Sequence, residues 1–340
     1  MPHASSSPNV LAVRFSSIGD ILLITPLLRA IHHSHPGARV TVLTKREYVP
    51  LLSHNPHVHR VIGMAPGRSL LSVAAELRGD RYTHLLDLHD NLRSRALRVL
   101  VPGRWRSYPK HRFARALLIR AKRNRYRDRR PVAERYFSAA RELWVTPDGA
   151  PPEFFLGPEA DEEVTGWLAS VGLEFEPNII AVAPGAAHAT KRWPFEHWRQ
   201  LIDKQVKDGF SVVVVGGPGD AALGTALADG GRGRVVSSAG IFGLQATGAL
   251  LQRARALVSG DTGVMHMASA VGTPLLALFG PTVEAFGFFP YTRRAGVLEL
   301  PLPCRPCSSQ GGPRCPLGHH RCLVDIHPGA VYQALRGTVR

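Results

Sequence analysis

The sequence contains no apolar run close to the roughly 18–20 residues that a membrane-spanning helix needs. Its first nine residues are small and polar, and they lack the basic and then apolar order of a secretory signal. Acidic residues are also scarce, because 26 Asp and Glu stand against 42 Lys and Arg, which gives a net charge of +16. These absences predict a cytoplasmic protein whose partner carries negative charge.

The excess positive charge is concentrated in residues 93–135, which hold sixteen Arg or Lys against two acids. A field of this density attracts polyanions such as nucleic acid, anionic lipid or a phosphorylated substrate. The alternative is a solvated helix face that contacts no partner. We interpret this stretch, called the basic segment below, as a site for an anionic partner.

Cysteine is confined to four positions near the end of the chain, Cys304, Cys307, Cys315 and Cys322. A disulfide framework is not expected in a cytoplasmic protein. Four thiolates can hold zinc, but zinc ribbons usually carry two close pairs, and only the first pair is close here. We therefore predict reduced thiols and no metal, with a structural zinc site as the alternative.

Short apolar runs alternate with amphipathic stretches, as in βαβ units on parallel sheets. Four prolines within residues 146–158 indicate a linker between two such series. We predict an α/β fold with two Rossmann-like domains, residues 1–150 and 151–340, whose final helix packs back on the first domain. In such a pair, a ligand binds in a central cleft that the carboxyl ends of both sheets face.

The same patterns predict individual elements. Strands are predicted over residues 10–15, 40–43, 58–62, 84–88, 179–183, 212–215, 256–259 and 275–279. Helices are predicted over residues 21–35, 47–54, 112–125, 132–145, 159–171, 195–208, 220–228, 244–253, 263–271 and 328–335.

The turn after the first predicted strand carries an acid, Asp20, at the start of a helix. Gly19 lets the backbone approach a ligand closely, and helix N–H groups point outward at such a turn. Aspartate also favours this position as a helix cap. The local pattern therefore leaves two interpretations open, a cap and an acid that faces a ligand.

The turns after two strands of the second series are candidates for contacts with a nucleotide. Thr190 and Lys191 combine a hydroxyl donor with positive charge, which suits a diphosphate. Asp220 follows a glycine-rich turn, where a carboxylate can accept hydrogen bonds from both ribose hydroxyls. The alternatives are an ordinary basic loop and a helix cap.

The most informative turn is Asp261-Thr262-Gly263, between a predicted strand and the helix that carries His266. Backbone N–H groups of Thr262 and Gly263 are expected to point at an anion, and the helix dipole adds attraction. His266 belongs to the first turns of that helix and is either packed or turned toward the same site.

These elements, in this order, resemble glycosyltransferase family 9, the ADP-heptose–lipopolysaccharide heptosyltransferases. The resemblance rests on Arg14-Phe15-Ser16-Ser17-Ile18-Gly19-Asp20 with Pro26, on Lys191-Arg192-Trp193-Pro194, on Gly260-Asp261-Thr262-Gly263 with His266, and on the cysteine-rich tail. It implies the GT-B fold, in which two Rossmann-like domains surround a cleft.

The resemblance also implies a role for each matching position. Asp20 is the expected catalytic base, and Lys191, close to Thr190, is the expected contact to the donor phosphates. Asp220 matches an acid near the donor ribose. The donor-binding motif is matched by Asp261, Thr262, Gly263 and His266.

The predicted activity is inverting, metal-independent transfer of a heptose or related sugar from an ADP-sugar to a lipopolysaccharide core or similar glycolipid. No cofactor is expected beyond the donor, and Arg120, Lys122, Arg123 and Arg125 are the predicted acceptor contacts. The predicted location is the cytoplasmic face of the inner membrane, without a nucleic-acid partner. The alternatives are another nucleotide-sugar donor, a nucleic-acid-binding protein that uses the basic segment, and a non-catalytic protein of the same fold.

Overall fold

The computed structural model describes residues 7–231 and 233–339. Residues 1–6 of the polar start of the chain, together with Arg232 and Arg340, lie outside the described residues. Two compact units are present. The first contains the described chain up to Lys110 and Val132–Phe155, and the second contains His111–Pro131 and the chain from Leu156 onward.

The elements alternate between strand and helix along both units. The strands are β1 Asn9–Val13, β2 Arg39–Lys45, β3 Arg60–Met64, β4 His84–Asp87, β5 Trp105–Ser107, β6 Ile179–Ala183, β7 Ser211–Val214, β8 Val235–Ser237, β9 Ala256–Gly260, β10 Leu275–Phe279 and β11 Ala295–Glu299. The helices are α1 Ile18–Leu22, α2 Thr25–Ser34, α3 Leu70–Gly79, α4 Leu92–Leu100, α5 Arg112–Ala121, α6 Val132–Arg135, α7 Pro158–Ser170, α8 Phe195–Lys207, α9 Ala221–Ala228, α10 Leu244–Arg253, α11 Gly263–Val271, α12 Arg321–Val324 and α13 Pro328–Val339. Short 3₁₀ turns occupy Arg46–Leu51, Tyr136–Leu143, Ala189–Lys191, Pro218–Asp220 and Glu284–Phe286.

The first unit is built on a parallel sheet in the order β3-β2-β1-β4-β5. Its central strand β1 is apolar throughout, from Val10 to Val13, and all four of these side chains are fully buried. A continuous apolar run is what a parallel strand covered on both faces requires. The chain order reverses between β1 and β4, so the turns after these two strands lie next to each other.

The second unit is built on a six-stranded parallel sheet in the order β11-β10-β9-β6-β7-β8. Read from the other edge, this is the 3-2-1-4-5-6 order of a Rossmann fold. The order reverses between β6 and β9, which are hydrogen-bonded neighbours. The turns that follow β6 and β9 are therefore adjacent, and they are the turns that carry Lys191 and Asp261.

The strands and helices confirm the predicted fold class of two Rossmann-like parallel sheets. The single helix predicted over residues 21–35 is two helices, α1 and α2, because Pro26 occupies a helix-starting position where its fixed φ is favourable. The helix predicted over residues 132–145 is α6 followed by a 3₁₀ turn. Helices α3 and α4 were not predicted.

The division into units differs from the predicted domains in one segment. The boundary after Phe155 falls inside the predicted linker, but His111–Pro131 belongs to the second unit, not to residues 1–150. This segment belongs to the second unit because Leu118 and Tyr126 are buried against Phe286. All four predicted acceptor cations, Arg120, Lys122, Arg123 and Arg125, are therefore part of the second unit.

The final helix, α13, packs on α8 and on strands β9, β10 and β11 of its own unit. Its buried residues Val331 and Leu335 join the core of the second sheet. Among the described residues, none of the helices is both long enough and apolar enough to cross a membrane.

Candidate active site

The turn after β1 places Asp20 in a network of donors. Oδ1 of Asp20 lies 2.5 Å from Nη2 of Arg14 and 3.4 Å from the hydroxyl of Tyr136. Oδ2 accepts from the backbone N–H and the hydroxyl of Ser17, at 3.3 and 3.1 Å. Asp20 thus closes the first turn of α1 from inside the helix, while Ser17 stands at the N-cap position. The carboxylate of Asp20 also forms an ion pair with Arg14, which a residue that only caps a helix does not need.

Arg14 is the buried partner of this carboxylate, with a side chain that is 7% exposed. Its Nε donates to the carbonyl of Ser16 at 2.8 Å, and its Nη1 donates to the carbonyl of Leu88 at 2.6 Å. Hydrogen bonds to residues just beyond the ends of β1 and β4 therefore hold the guanidinium in place. Burial alone would raise the pKa of Asp20, but the charge of Arg14 and the donors of Ser17 lower it below its ordinary value.

His89 follows β4 and borders the same network, although the sequence did not suggest it. Its ring packs edge-on against Phe15, with ring centroids 5.6 Å apart. Burial, with the charges of Arg14 and Lys110, lowers the pKa of His89 to about 4. The imidazole is therefore neutral at pH 7, and its buried Nδ1 makes no hydrogen bond to the described protein atoms.

The second unit brings Lys191 and Asp261 together, because the turns after the neighbouring strands β6 and β9 are adjacent. Nζ of Lys191 lies 2.7 Å from Oδ2 of Asp261 and 3.3 Å from its backbone carbonyl. The hydroxyl of Thr282 donates to the same Oδ2 at 2.7 Å. Thr282 follows β10 and was not predicted, although it too stands just beyond the end of a strand.

The start of α11 lies directly beyond this pair. Thr262 occupies the N-cap position, and its hydroxyl is 3.1 Å from that of Ser259. The first N–H groups of a helix have no partner within the helix, so those of α11 can bind an anion. His266 is 96% buried on the inner side of α11, which favours the packed interpretation of this side chain.

Comparison with known proteins now decides the family. Residues 70–315 match glycosyltransferase family 9 (heptosyltransferase). The chain belongs to this family. Lipooligosaccharide heptosyltransferase 2 of Haemophilus influenzae is 26% identical to it, over 96% of this chain and 98% of the relative. Lipopolysaccharide heptosyltransferase 2 of Salmonella typhimurium is 27% identical, over 97% of this chain and 98% of the relative.

A solved structure shows the same fold. ADP-heptose lps heptosyltransferase II of E. coli aligns with a TM-score of 0.76 at 24% identity, over 97% of this chain and 98% of that chain. The two parallel-sheet units of this family 9 protein are therefore those of a GT-B fold. The predicted family, fold and glycosyltransferase class are confirmed.

Two predicted donor contacts of the family 9 chain have partners within the protein. The hydroxyl of Thr190 accepts from the N–H of Gly312 at 2.8 Å and lies 3.1 Å from its carbonyl, so Thr190 holds the cysteine-rich tail. The carboxylate of Asp220 accepts from the N–H of Gly217 at 3.1 Å and lies over Gly185, where a Cβ would clash with it. In this structure both side chains fix loops, and their roles toward a donor remain predictions.

The predicted acceptor cations differ from one another in the structure. Nζ of Lys122 donates to the carbonyls of Ile119, Cys304 and Pro306, at 2.8, 2.9 and 2.6 Å. These three bonds use every donor of an ammonium group. The side chains of Arg120, Arg123 and Arg125 are exposed, so they are the candidates for an external anion.

The four cysteines of the tail form no disulfide. Burial and the neighbouring Cys315 and Cys304 raise the pKa of Cys307, and burial with the nearby Cys307 raises the pKa of Cys322 to about 11. The raised pKa values keep the thiols of Cys307 and Cys322 protonated at neutral pH. Within the described residues, no group of three or more His, Cys, Asp or Glu is arranged to hold a metal ion.

Proposed function

We propose that this chain transfers a heptose from ADP-heptose to a lipopolysaccharide core, with inversion and without a divalent metal. The named activities of the Haemophilus and Salmonella relatives and of the E. coli structure support the donor and the acceptor class. The observation that carries the proposal is the Lys191–Asp261 pair beside the start of α11. A diphosphate needs this combination of a positioned cation and helix N–H groups.

In the proposed reaction the donor diphosphate binds Lys191 and the first N–H groups of α11. Negative charge grows on the diphosphate as the bond to the sugar breaks, and fixed donors stabilise charge that develops in the transition state. Asp261 and Thr282 hold the ammonium in place before the donor arrives. The sequence contains no Asp-x-Asp pair, the usual pair of carboxylates for a metal-bound donor, which supports metal-independent transfer.

Asp20 is the proposed base. Its carboxylate takes the proton of the acceptor hydroxyl while the oxygen attacks the anomeric carbon, and the electron pair of the breaking bond leaves with ADP. A single displacement of this kind inverts the anomeric centre. The lowered pKa keeps Asp20 ionised at neutral pH, and Arg14 and Tyr136 fix its orientation. General-base assistance is worth roughly 10²–10⁴-fold in rate.

The acceptor is proposed to carry phosphate, and the exposed Arg120, Arg123 and Arg125 are its proposed contacts. Guanidinium groups bind phosphate in a bidentate way, which gives both charge and geometry. The proposed place of reaction is the cytoplasmic face of the inner membrane, where a lipid-borne core is accessible. The same proposal assigns no nucleic-acid partner to the basic segment.

Thermal shift with a panel of nucleotide sugars, followed by a transfer assay, tests the proposal. At a concentration of 100 Kd, a ligand raises the free energy of unfolding by about 2.7 kcal/mol. We expect ADP-heptose to stabilise the protein, UDP- and GDP-sugars to have no effect, and transfer to heptose-deficient lipopolysaccharide to continue in EDTA. The Lys191→Met variant is the matched control, which should lose the shift. Stabilisation by a different nucleotide sugar alone would contradict the donor assignment.

A further inference from the structure

Helix α4 of the first unit turns apolar side chains to the outside. Leu92 and Val99 are 86% and 84% exposed, and Ala96 between them is also exposed. At 100° per residue these three positions fall within about 60° of one another. They form a single line along the helix, called the α4 stripe below. Isolated exposed apolar residues are ordinary, but an aligned set marks a contact surface.

The direction of the α4 stripe is fixed by contacts on the opposite side of the helix. Leu97 is fully buried in the core of the first sheet. Nε of Arg98 donates to Oδ2 of the fully buried Asp87 at 2.7 Å. Asn91 and Ser94 exchange backbone and side-chain hydrogen bonds at the start of the helix. The helix therefore cannot rotate to bury Leu92 and Val99 without breaking an ion pair with a buried acid.

The charge beside the α4 stripe indicates what it contacts. The exposed Arg93 and Arg95 stand on the two sides of the α4 stripe on the helical wheel. Nε of Arg95 also donates to Oδ1 of Asp90 at 3.0 Å, while Arg93 lies over the ring of Phe15. No Asp or Glu occurs in the sequence from Asn91 to Arg127. An apolar line between arginines is the pattern of a helix that lies in the headgroup region of an anionic bilayer. We propose that α4 docks the first unit on anionic phospholipid, with Leu92 and Val99 inserted among the acyl chains.

This docking would bring the catalytic turn to the lipid surface. The guanidinium of Arg93, beside Leu92 in the sequence, lies 5.9 Å from the ring centroid of Phe15. Phe15 belongs to the turn that carries Asp20. The proposal rests on the proposed function in one respect. Docking brings Asp20 to its acceptor only if the acceptor is carried by a lipid and Asp20 is the catalytic base. Vesicle binding itself can be measured without any transfer.

Co-sedimentation of the full chain with vesicles tests the proposal. Vesicles of equal parts phosphatidylcholine and phosphatidylglycerol are compared with phosphatidylcholine alone. The double variant Leu92→Ser, Val99→Ser should lower partitioning onto the anionic vesicles by roughly tenfold or more, since each side chain loses its burial in the bilayer. The matched control is Phe175→Ser, which removes an 88% exposed apolar side chain in the second unit and should bind like the wild type.

Transfer assays separate this proposal from the proposed function. The double variant should keep the wild-type rate on a lipid-free core oligosaccharide and lose rate on the same core in anionic vesicles. Equal vesicle binding by the variant and the wild type would overturn the proposal. So would a wild-type dimer that dissociates in the variant by light scattering, because the α4 stripe would then bind a second copy of the chain. Absence of transfer from either protein, with vesicle binding still lost in the variant, would reject only the proposed function.

Discussion

Each unit has an ion pair at its candidate site, and the two pairs differ in whether the acid or the cation is the more exposed member. In the first unit the acid, Asp20, is the more exposed member at 17%, and its partner Arg14 is 7% exposed. In the second unit the cation, Lys191, is the more exposed member at 15%, and its partner Asp261 is 10% exposed. In both pairs the more buried member makes further hydrogen bonds, Arg14 to two carbonyls and Asp261 to Thr282. The more exposed members have further partners too, Ser17 and Tyr136 for Asp20 and the carbonyl of Asp261 for Lys191. We call the more buried member the anchor, and we propose that the more exposed member meets the substrate.

This difference also supports the proposal that the first pair takes a proton and the second binds a phosphate. An arginine stays charged at every accessible pH, so Arg14 lowers the pKa of Asp20 and preserves its negative charge. A lysine beside a single carboxylate keeps two further N–H donors, of which one reaches the carbonyl of Asp261. An arriving diphosphate can then share the ammonium.

The largest effect on the fold is expected from removing the anchor of the first pair. The Arg14→Gln variant leaves the carboxylate of Asp20, which is 17% exposed, without its counter-charge, which costs up to about 3–5 kcal/mol of unfolding free energy. Asp20 has a lowered pKa in the folded protein, so its contribution to stability is present above its unfolded pKa and is lost as the pH falls through the folded value. In the variant the pKa should rise, and the acidic limb of the kcat/KM profile should move to higher pH.

Urea unfolding and a pH–rate profile measure both effects of Arg14→Gln. Arg14→Lys is the control, because it keeps the positive charge and should shift the acidic limb less. An acidic limb that stays in place in Arg14→Gln would mean that Arg14 does not set the protonation of Asp20.

Removing the exposed member of the second pair should affect binding more than folding. The Lys191→Met variant loses charged hydrogen bonds worth about 1.5–3 kcal/mol, so affinity for ADP should fall roughly 10- to 100-fold. Isothermal titration with ADP measures this loss. Thr190→Val serves as the comparison, because Thr190 bonds to Gly312 and should change stability without a similar loss of ADP affinity. Equal losses in the two variants would contradict the assignment of Lys191.

In the basic segment, Lys122 is held by three carbonyls, whereas Arg120, Arg123 and Arg125 are exposed. Changing the exposed Arg120, Arg123 and Arg125 to Gln should raise the acceptor KM roughly 100-fold and leave the donor KM unchanged, because three charges at about 1 kcal/mol each near an anionic surface amount to about 3 kcal/mol. Added salt should reduce the effect. Lys122→Gln should instead lower the melting temperature, because its ammonium bridges Ile119 to the cysteine tail. A rise in both KM values would assign the arginines to the fold.

The smallest effect is expected in the cysteine tail. Replacing Cys304 and Cys307 by Ser should change the unfolding free energy by less than about 1 kcal/mol, since both are partly exposed thiols. Elemental analysis of the wild type should show no stoichiometric zinc. A large loss of stability in the variant, together with zinc in the wild type, would make the tail a metal site.

The sequence predicted most of the second unit because its signals are local. The strands β6 and β10 and the helix α11 have the predicted bounds, since each is an apolar run closed by a turn. Lys191 and Asp261 were found because both follow strands, and the carboxyl ends of neighbouring parallel strands lie together.

The missed features depend on contacts that no local pattern reveals. Helix α4 was not predicted because Leu92 and Val99 face outward and interrupt the usual amphipathic order. The network around Asp20 draws on different elements, since Tyr136 follows α6, and Leu88, whose carbonyl accepts from Arg14, follows β4. The sequence suggested that Lys122 is a free surface cation. Two of its three carbonyl partners, Cys304 and Pro306, lie about 180 residues later in the chain, so no local pattern shows them.

Single-turnover transfer by the Asp20→Asn variant tests the central claim most directly. Asparagine keeps the volume of the side chain and can accept from Ser17, so the fold and ADP affinity should be retained. It accepts a proton poorly, and the rate of heptose transfer from ADP-heptose should fall by roughly 10²-fold or more. ADP affinity is measured on the same preparation. A variant that transfers at the wild-type rate would show that Asp20 only closes the first turn of α1 and that another group takes the proton.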